Sequence, residues 1–280
     1  MKEIEKLKEH ILKEYPRLNK DSKFKFACHK NVPCFNSCCG DVNIFLTPFD
    51  IIRLKKNLGI SSTELLKKYT ISPFDKNLSY PILLLKMNED EKKSCQLVSE
   101  NGCTVYLDRP WACRMYPLGL ASPGKDNSEL DHEFYFLLKE DACKGFNEDR
   151  DYTVAGWLDD QGINEYNEVG EHFKELTTHK FFSEGNKLNP KQIEMFYTAC
   201  YDIDSFKRFV FESSFFDKFQ IDDEIRESIK NDDVELHKFA VRWLRFALFG
   251  EATMTIKNDV MAAKKEELKD KLKDKDNGAK

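Results

Sequence analysis

The sequence predicts an α+β protein, a small mixed Cys-rich core followed by a mainly helical C-terminal region. Three observations carry that prediction. Eight of the nine cysteines fall between Cys28 and Cys143, among apolar runs of strand length. After about residue 153, apolar residues recur at helical spacing in one segment after another. Hydrophobic residues make up 41% of the 280, with Phe alone supplying 22, which is enough to build a core and excludes wholesale disorder.

The elements follow in order. Residues 2–15 carry Ile4, Leu7, Ile11, Leu12 and Tyr15 at helical spacing, and Pro16 ends the run, so 1–23 is read as an N-terminal helical segment. Residues 24–152 are read as the Cys-rich metal-binding domain. Within it Val42–Leu46 is strand-like. Thr47-Pro48-Phe49-Asp50 starts a helix, with Thr47 as cap, Pro48 at the first position and Asp50 at the positive helix end, and Gly59 stops it. Ser61-Ser62-Thr63-Glu64 opens a second helix to about Tyr69. Ile82–Leu85 reads as a strand, and residues 96–98 and 104–106 as a hairpin around Asn101-Gly102. A short helical stretch follows Arg109-Pro110, a loop covers 121–131, and Phe134–Leu138 is a further strand.

Residues 153–262 are read as the helical region, with helices over 160–177, 191–199, 205–211, 222–229 and 234–249. Residues 263–280 are read as a charged, disordered tail, since Lys264–Lys280 holds seven Lys interleaved with five acidic residues. No internal repeat is visible.

Several function classes lack support. No apolar run approaches the roughly 18 residues of a membrane span. The start, Met1-Lys2-Glu3-Ile4, has no apolar signal core, so the expected location is cytoplasmic. The net charge of −5 and the interleaved tail argue against a nucleic-acid partner. No phosphate-binding glycine loop, H-E-x-x-H or G-x-S-x-G occurs.

In a reducing compartment clustered thiols read as metal ligands or redox groups rather than disulfides. The spacing is Cys28-x5-Cys34-x3-Cys38-Cys39, then Cys95-x7-Cys103-x9-Cys113, then Cys143. Thiolates are soft ligands suited to zinc, copper(I) and iron–sulfur clusters. Eight of them make two four-Cys sites, or one site plus spare thiols. Neighbours on an extended chain point to opposite sides, so Cys38 and Cys39 either serve different sites or sit on a sharp bend that Gly40 permits. Cys200, amid Phe196, Tyr197, Ala199 and Tyr201, reads as a packed small hydrophobe. His29, beside Cys28, is an alternative ligand.

Arg109 and Arg114 bracket Cys113. They are candidates to stabilise a negatively charged cluster or to hold an anionic substrate, against the plainer reading of a salt bridge to Asp108. Tyr116 is a candidate hydrogen-bond donor at the cofactor, and Trp111 a shield against water. The all-Cys set, the arginines and the aromatic surround favour an iron–sulfur cluster, expected as [4Fe-4S], with zinc as the alternative.

Two motifs carry a family resemblance. One is Cys34-Phe35-Asn36-Ser37-Cys38-Cys39 with Leu46-Thr47-Pro48-Phe49-Asp50-Ile51 and Leu54. The other is Gly102-Cys103-Thr104-Val105-Tyr106 with Arg109-Pro110-Trp111-Ala112-Cys113-Arg114-Met115-Tyr116-Pro117-Leu118. Over about residues 24–150 the chain resembles the YkgJ-like cysteine-cluster family, described as zinc- or iron-chelating domains. Flagellin N-methylase, which methylates lysines on flagellin, is similar to this group. The resemblance implies metal binding, and through that enzyme a protein or peptide substrate for lysine methylation. The alternatives are a redox or metal-handling module without catalysis, or a zinc-stapled interaction protein. The Cys28–Cys34 interval is longer than the tight pair usual in the family, and no glycine loop for S-adenosylmethionine is evident.

Overall fold

The structure, a computed structural model, describes residues 15–73, 78–121, 133–263 and 266. Residues 1–14 of the expected N-terminal helix, the 121–131 loop beyond Ala121 and nearly all of the charged tail lie outside the described residues; residues 15–22 form a bend, a bridge at Leu18 and a turn rather than helix, and Lys23 begins a strand. The fold is α+β, with three two-stranded sheets and one three-stranded sheet among the described residues and a helical C-terminal half. It divides into two compact units. The first comprises the chain up to Leu58 together with Lys68–Ile71 and Leu83–Glu168; the second comprises Gly59–Lys67, residues 72–82 and the chain from Val169 onward.

The first unit is built from short antiparallel pairs. Strand β1 (Lys23–Lys25) pairs with β9 (Asp151–Thr153), with Phe24 opposite Tyr152. Strands β2 (Phe45–Leu46) and β3 (Thr70–Ile71) flank β4 (Leu83–Leu85). Strand β5 (Val98–Ser99) pairs with β6 (Gly102–Cys103), and β7 (Leu118–Ala121) with β8 (Phe134–Leu137). The core gathers Phe24, Phe26, Met115, Leu118, Val154, Trp157, Leu158 and Ile163.

The expected helix start at Thr47 is borne out. Helix α1 spans Pro48–Leu58, and Gly59 takes the left-handed conformation (φ +64°) that ends it at no steric cost. Helix α2 (Ser62–Tyr69) follows, with the Ser61 hydroxyl accepting from the Glu64 N–H at 3.2 Å.

Three local readings are corrected. The hairpin turns at Glu100-Asn101, because Ser99 pairs with Gly102, whose φ of +111° places it inside the second strand. Tyr106–Asp108 is one turn of 3-10 helix rather than strand. The helix expected over 160–177 is two, α4 (Val154–Asp160) and α5 (Ile163–Thr177), broken at Gly162 with φ +63°. Earlier in the chain, between β6 and β7, α3 (Trp111–Met115) leads into the Tyr116–Pro117 cis peptide.

The second unit is helical, comprising α6 (Lys180–Ser183), α7 (Pro190–Cys200), α8 (Ile203–Glu212), α9 (Phe215–Lys218), α10 (Asp223–Asn231) and α11 (Asp233–Phe249). Asn189 and Gln192 close a capping box at the start of α7, and Gly250 (φ +70°) ends α11. Cys200 is buried there at 2% exposure, as its apolar neighbours in the sequence imply. Among the described residues no helix is long and apolar enough to cross a membrane.

Candidate metal centre

The first cysteine loop is a run of tight turns. The Val32 N–H donates to the His29 carbonyl and the Phe35 N–H to the Val32 carbonyl, both at 2.9 Å. Val32 is buried and anchors the interval between Cys28 and Cys34. The Ser37 N–H then donates to the Cys34 carbonyl at 2.9 Å and the Cys39 N–H to the Asn36 carbonyl at 3.0 Å. The left-handed residue this bend needs is Asn36 (φ +67°), a type that tolerates it. Gly40 serves another purpose. A Cβ there would sit 2.7 Å from the Lys92 carbonyl oxygen, so the missing side chain permits a close backbone approach.

That approach brings the second cysteine block in. The Cys95 N–H donates to the Cys39 carbonyl at 2.7 Å, and the Asp41 N–H to the Lys93 carbonyl at 3.1 Å. The Asn36 amide reaches the Ser99 carbonyl at 3.0 Å, which ties the loop to the hairpin that carries Cys103. Cys143 arrives by a separate route. The Ala27 N–H donates to the Gly145 carbonyl at 3.0 Å, and the Lys144 N–H points at the Cys34 sulfur at 3.1 Å. A Cβ on Gly145 would lie 2.7 Å from both the Ala27 oxygen and the Phe26 ring.

The thiols act on one another electrostatically. Burial first, then the Cys38, Cys34 and Cys143 thiols push Cys28 up to about 11. Burial, then Asp50, Cys95 and Cys103 push Cys113 up to about 12, with Arg109 opposing. Cys95 and Cys103 are raised chiefly by burial; Cys103 adds to the rise of Cys95, and Arg109 opposes that of Cys103. Cys38 and Cys39 share a hydrogen bond that holds Cys38 down and drives Cys39 up, with Cys95 and Cys113 also raising Cys39. Among the described residues, no three Cys, His, Asp or Glu side chains converge closely enough to enclose a metal ion.

The donor set nevertheless fits a thiolate-bound metal group. Backbone N–H groups aim at sulfur, from Lys144 to Cys34 and from Leu97 to Cys95 at 3.4 Å, the polarity that stabilises a ligating thiolate. The buried Tyr116 hydroxyl has no oxygen or nitrogen partner and lies beside Cys143. Burial, then Cys143, raise its pKa, so it stays a protonated donor.

The two arginines are committed elsewhere. Arg109 donates to the Tyr106 carbonyl at 2.6 Å and to the Gln161 side chain, and its guanidinium lies 3.8 Å over the Tyr106 ring. Arg114 donates to three carbonyls, those of Arg109 at 2.9 Å, Gln161 at 2.6 Å and Leu107. Asp108 pairs with Arg53 at 2.7 Å and Asn57 at 2.7 Å, not with either of them. Arg109 still acts electrostatically on Cys28, Cys103 and Cys113; Arg114 is a brace between two loops and α4. His29 faces Glu148 at 3.1 Å and caps the Asn31 N–H. Trp111 donates its indole N–H to Asn167 at 2.8 Å.

The sequence reading missed the reach of Asp50. This carboxylate is fully buried and accepts from the Thr47 N–H at 2.7 Å and the Thr47 hydroxyl at 2.8 Å. Its second oxygen accepts from the Trp111 N–H at 2.8 Å. One side chain thus caps the start of α1 and the start of α3, which carries Cys113. The signal was present in the two motifs, Thr47–Asp50 and Arg109–Cys113, but nothing in either said that they meet.

Residues 27–151 match a known family model, CxxCxxCC. Its description is "putative zinc- or iron-chelating domain". The match covers all eight clustered cysteines and stops short of the helical half. It supports a cysteine-cluster family and metal binding for this segment. Neither a curated protein nor a solved structure matches the chain.

Proposed function

We propose that the Cys-rich segment holds an iron–sulfur cluster of the [4Fe-4S] type, and that the protein uses it in modifying a protein or peptide substrate. The observation that carries the cluster reading is the donor set. All eight clustered ligand candidates are thiols, served by N–H donors, a buried unpartnered tyrosine hydroxyl and the field of Arg109. The all-Cys set, with Arg109 and the aromatic surround, favours an iron–sulfur cluster over zinc. When bound, such a group supplies one-electron chemistry. The chain's own contribution is to exclude water through Trp111 and Phe26, to donate from Tyr116, and to offset negative charge through Arg109.

Anaerobic purification followed by iron, sulfide and zinc analysis tests this. Stoichiometric iron and sulfide are expected; a colourless protein with stoichiometric zinc and no iron would falsify the cluster. The substrate reading rests on the resemblance to flagellin N-methylase. Incubation with S-adenosylmethionine and cell extract, read by mass spectrometry, is expected to give a lysine-methylated acceptor. Absence of any such product assigns the protein to non-catalytic redox or metal handling.

A further inference from the structure

We propose that the N-terminal segment, residues 2–14, docks as an amphipathic helix on the outer face of the β7–β8 ribbon and covers Phe134 and Phe136. The occupant of this apolar face is thus a piece of the same chain.

The ribbon is apolar on both faces. Leu118 pairs with Leu137 and Leu120 with Tyr135, and these four belong to the main core of the Cys-rich unit or pack against it. Gly119 pairs with Phe136 and Ala121 with Phe134, which strand alternation places on the opposite face. There the two rings form a separate cluster with Tyr15, Ala121 and Leu138. A Cβ on Gly119 would lie 2.3 Å from the Phe136 ring, so that ring rests directly on the neighbouring strand.

A two-stranded ribbon is not stable by itself and needs packing. Phe134 and Phe136 are 7% and 5% exposed. Burying each ring takes roughly 150–250 Å² out of water. Tyr15, Ala121 and Leu138, with the Arg17 guanidinium 5.0 Å over the Phe134 ring, supply part of that cover. The remainder calls for an apolar partner.

The chain enters at this face. Leu18 and Tyr135 exchange both backbone hydrogen bonds, at 2.7 and 3.0 Å, which stitches the entering segment to β8. The Tyr15 ring stands 5.1 Å from that of Phe136. Tyr15 is also the last member of the stripe Ile4, Leu7, Ile11, Leu12. Residues three and four apart share one side of a helix, so with Tyr15 on Phe136, Ile11 and Leu12 come next on the same side, and Leu7 and Ile4 follow. Lys2, Lys6, Glu9 and Lys13 fall on the opposite side. Such a helix is about 20 Å long, enough to cross a strand pair of about 14 Å. The other segment within reach, the 122–132 connection between β7 and β8, holds Leu130 and Pro123 among glycine, polar and charged residues. The cover also bears on the metal centre. The ribbon begins directly after Tyr116–Pro117, and the Leu138 N–H donates to the Pro117 carbonyl at 2.8 Å where the chain leaves for Cys143.

Hydrogen exchange of the full chain, read by mass spectrometry, tests this. Leu7→Asp/Ile11→Asp is expected to speed exchange across residues 118–121 and 134–138 about fivefold or more, while residues 190–249 keep their protection. Lys6→Asp/Lys13→Asp on the polar side and Leu130→Ser in the connection are expected to change little. Unchanged exchange in the first variant, or an equal rise in either of the others, overturns the proposal. If the first variant unfolds throughout, a cross-link decides. The photoreactive residue p-benzoylphenylalanine in place of Ile11, irradiated in dilute protein, is expected to join residues 118–121 or 134–138 of the same molecule. A product found only as a dimer assigns the face to a second copy, and a product found only elsewhere in the chain, or none, leaves the segment undocked; each of these overturns the proposal.

Discussion

The two units reach order by different means. In the helical unit large side chains are enclosed outright: Phe196, Tyr201, Ile203 and Phe206 are at most 1% exposed, and Phe215 stacks among Phe209, Phe219, Phe239 and Trp243. In the Cys-rich unit the buried cluster lies on β1, α3, β7, α4 and the start of α5. Of the eight clustered cysteines, Cys143 packs against it. Cys113 rides on α3, and the segments that carry the other six are held by a few buried side chains, Val32, Leu97 and Val105, and by backbone hydrogen bonds. Where apolar burial is thin, turns and ligands must supply the order that a core supplies elsewhere.

The sharpest way to break this comparison is to remove metal. Chelation under anaerobic conditions is expected to raise amide hydrogen exchange at least tenfold across residues 28–41 and 93–106, while residues 190–249 keep their protection. Equal loosening of both regions would show that the helical unit also depends on metal. The converse test is Phe196→Ala. Truncating a phenylalanine with no exposed surface is expected to cost about 3–5 kcal/mol in denaturant unfolding of the helical unit, leaving metal content unchanged.

Asp50→Ala probes a tightly built point in the Cys-rich unit. It leaves the Thr47 and Trp111 N–H donors without their acceptor, at an expected cost of about 2–4 kcal/mol in denaturant unfolding. Because Cys113 rides on the helix that Asp50 anchors, this variant is also expected to lower metal retention. Asp50→Asn keeps one acceptor oxygen and is expected to fall between Ala and wild type.

Much of the helical unit was legible because its signals are local. Asn189-Pro190 marks a cap and a first turn, and the apolar spacing over 234–249 needs no knowledge of partners. The separation of Cys200 from the other eight was legible for the same reason. The Cys-rich unit was legible only as composition and motif. Whether Asn101-Gly102 forms the turn or Gly102 enters the strand depends on how the Phe35 ring lies against Gly102, a contact 67 residues apart in sequence. The break at Gly162 resembles any tolerated helical glycine until Arg114 is seen holding the Gln161 carbonyl. Arginines beside a cysteine suggest charge partners, and only the path of the chain shows that carbonyls from three residues claim Arg114 first.

The smallest expected effect belongs to His237, which sharpens the contrast because it makes the helical unit acid-sensitive without any metal. His237 lies on α11 at 1% exposure, and its Nδ1 has no hydrogen-bond partner. Burial first, then the neighbouring His172 and Lys238, hold its pKa down at about 3, against 6.5 for a free imidazole. The unfolded chain therefore binds a proton below pH 6.5 that the folded chain refuses, so stability is complete above that value and declines as pH falls toward 3. Between pH 7 and pH 5.5 this amounts to about 1 kcal/mol. His237→Leu, which fills the site with an apolar group, is expected to remove that part of the pH slope in denaturant unfolding read by the tryptophan on α11, Trp243. An unchanged slope in the variant would mean that the imidazole reaches a proton in the folded state, and that the enclosure of this helix is looser than its buried aromatic neighbours imply.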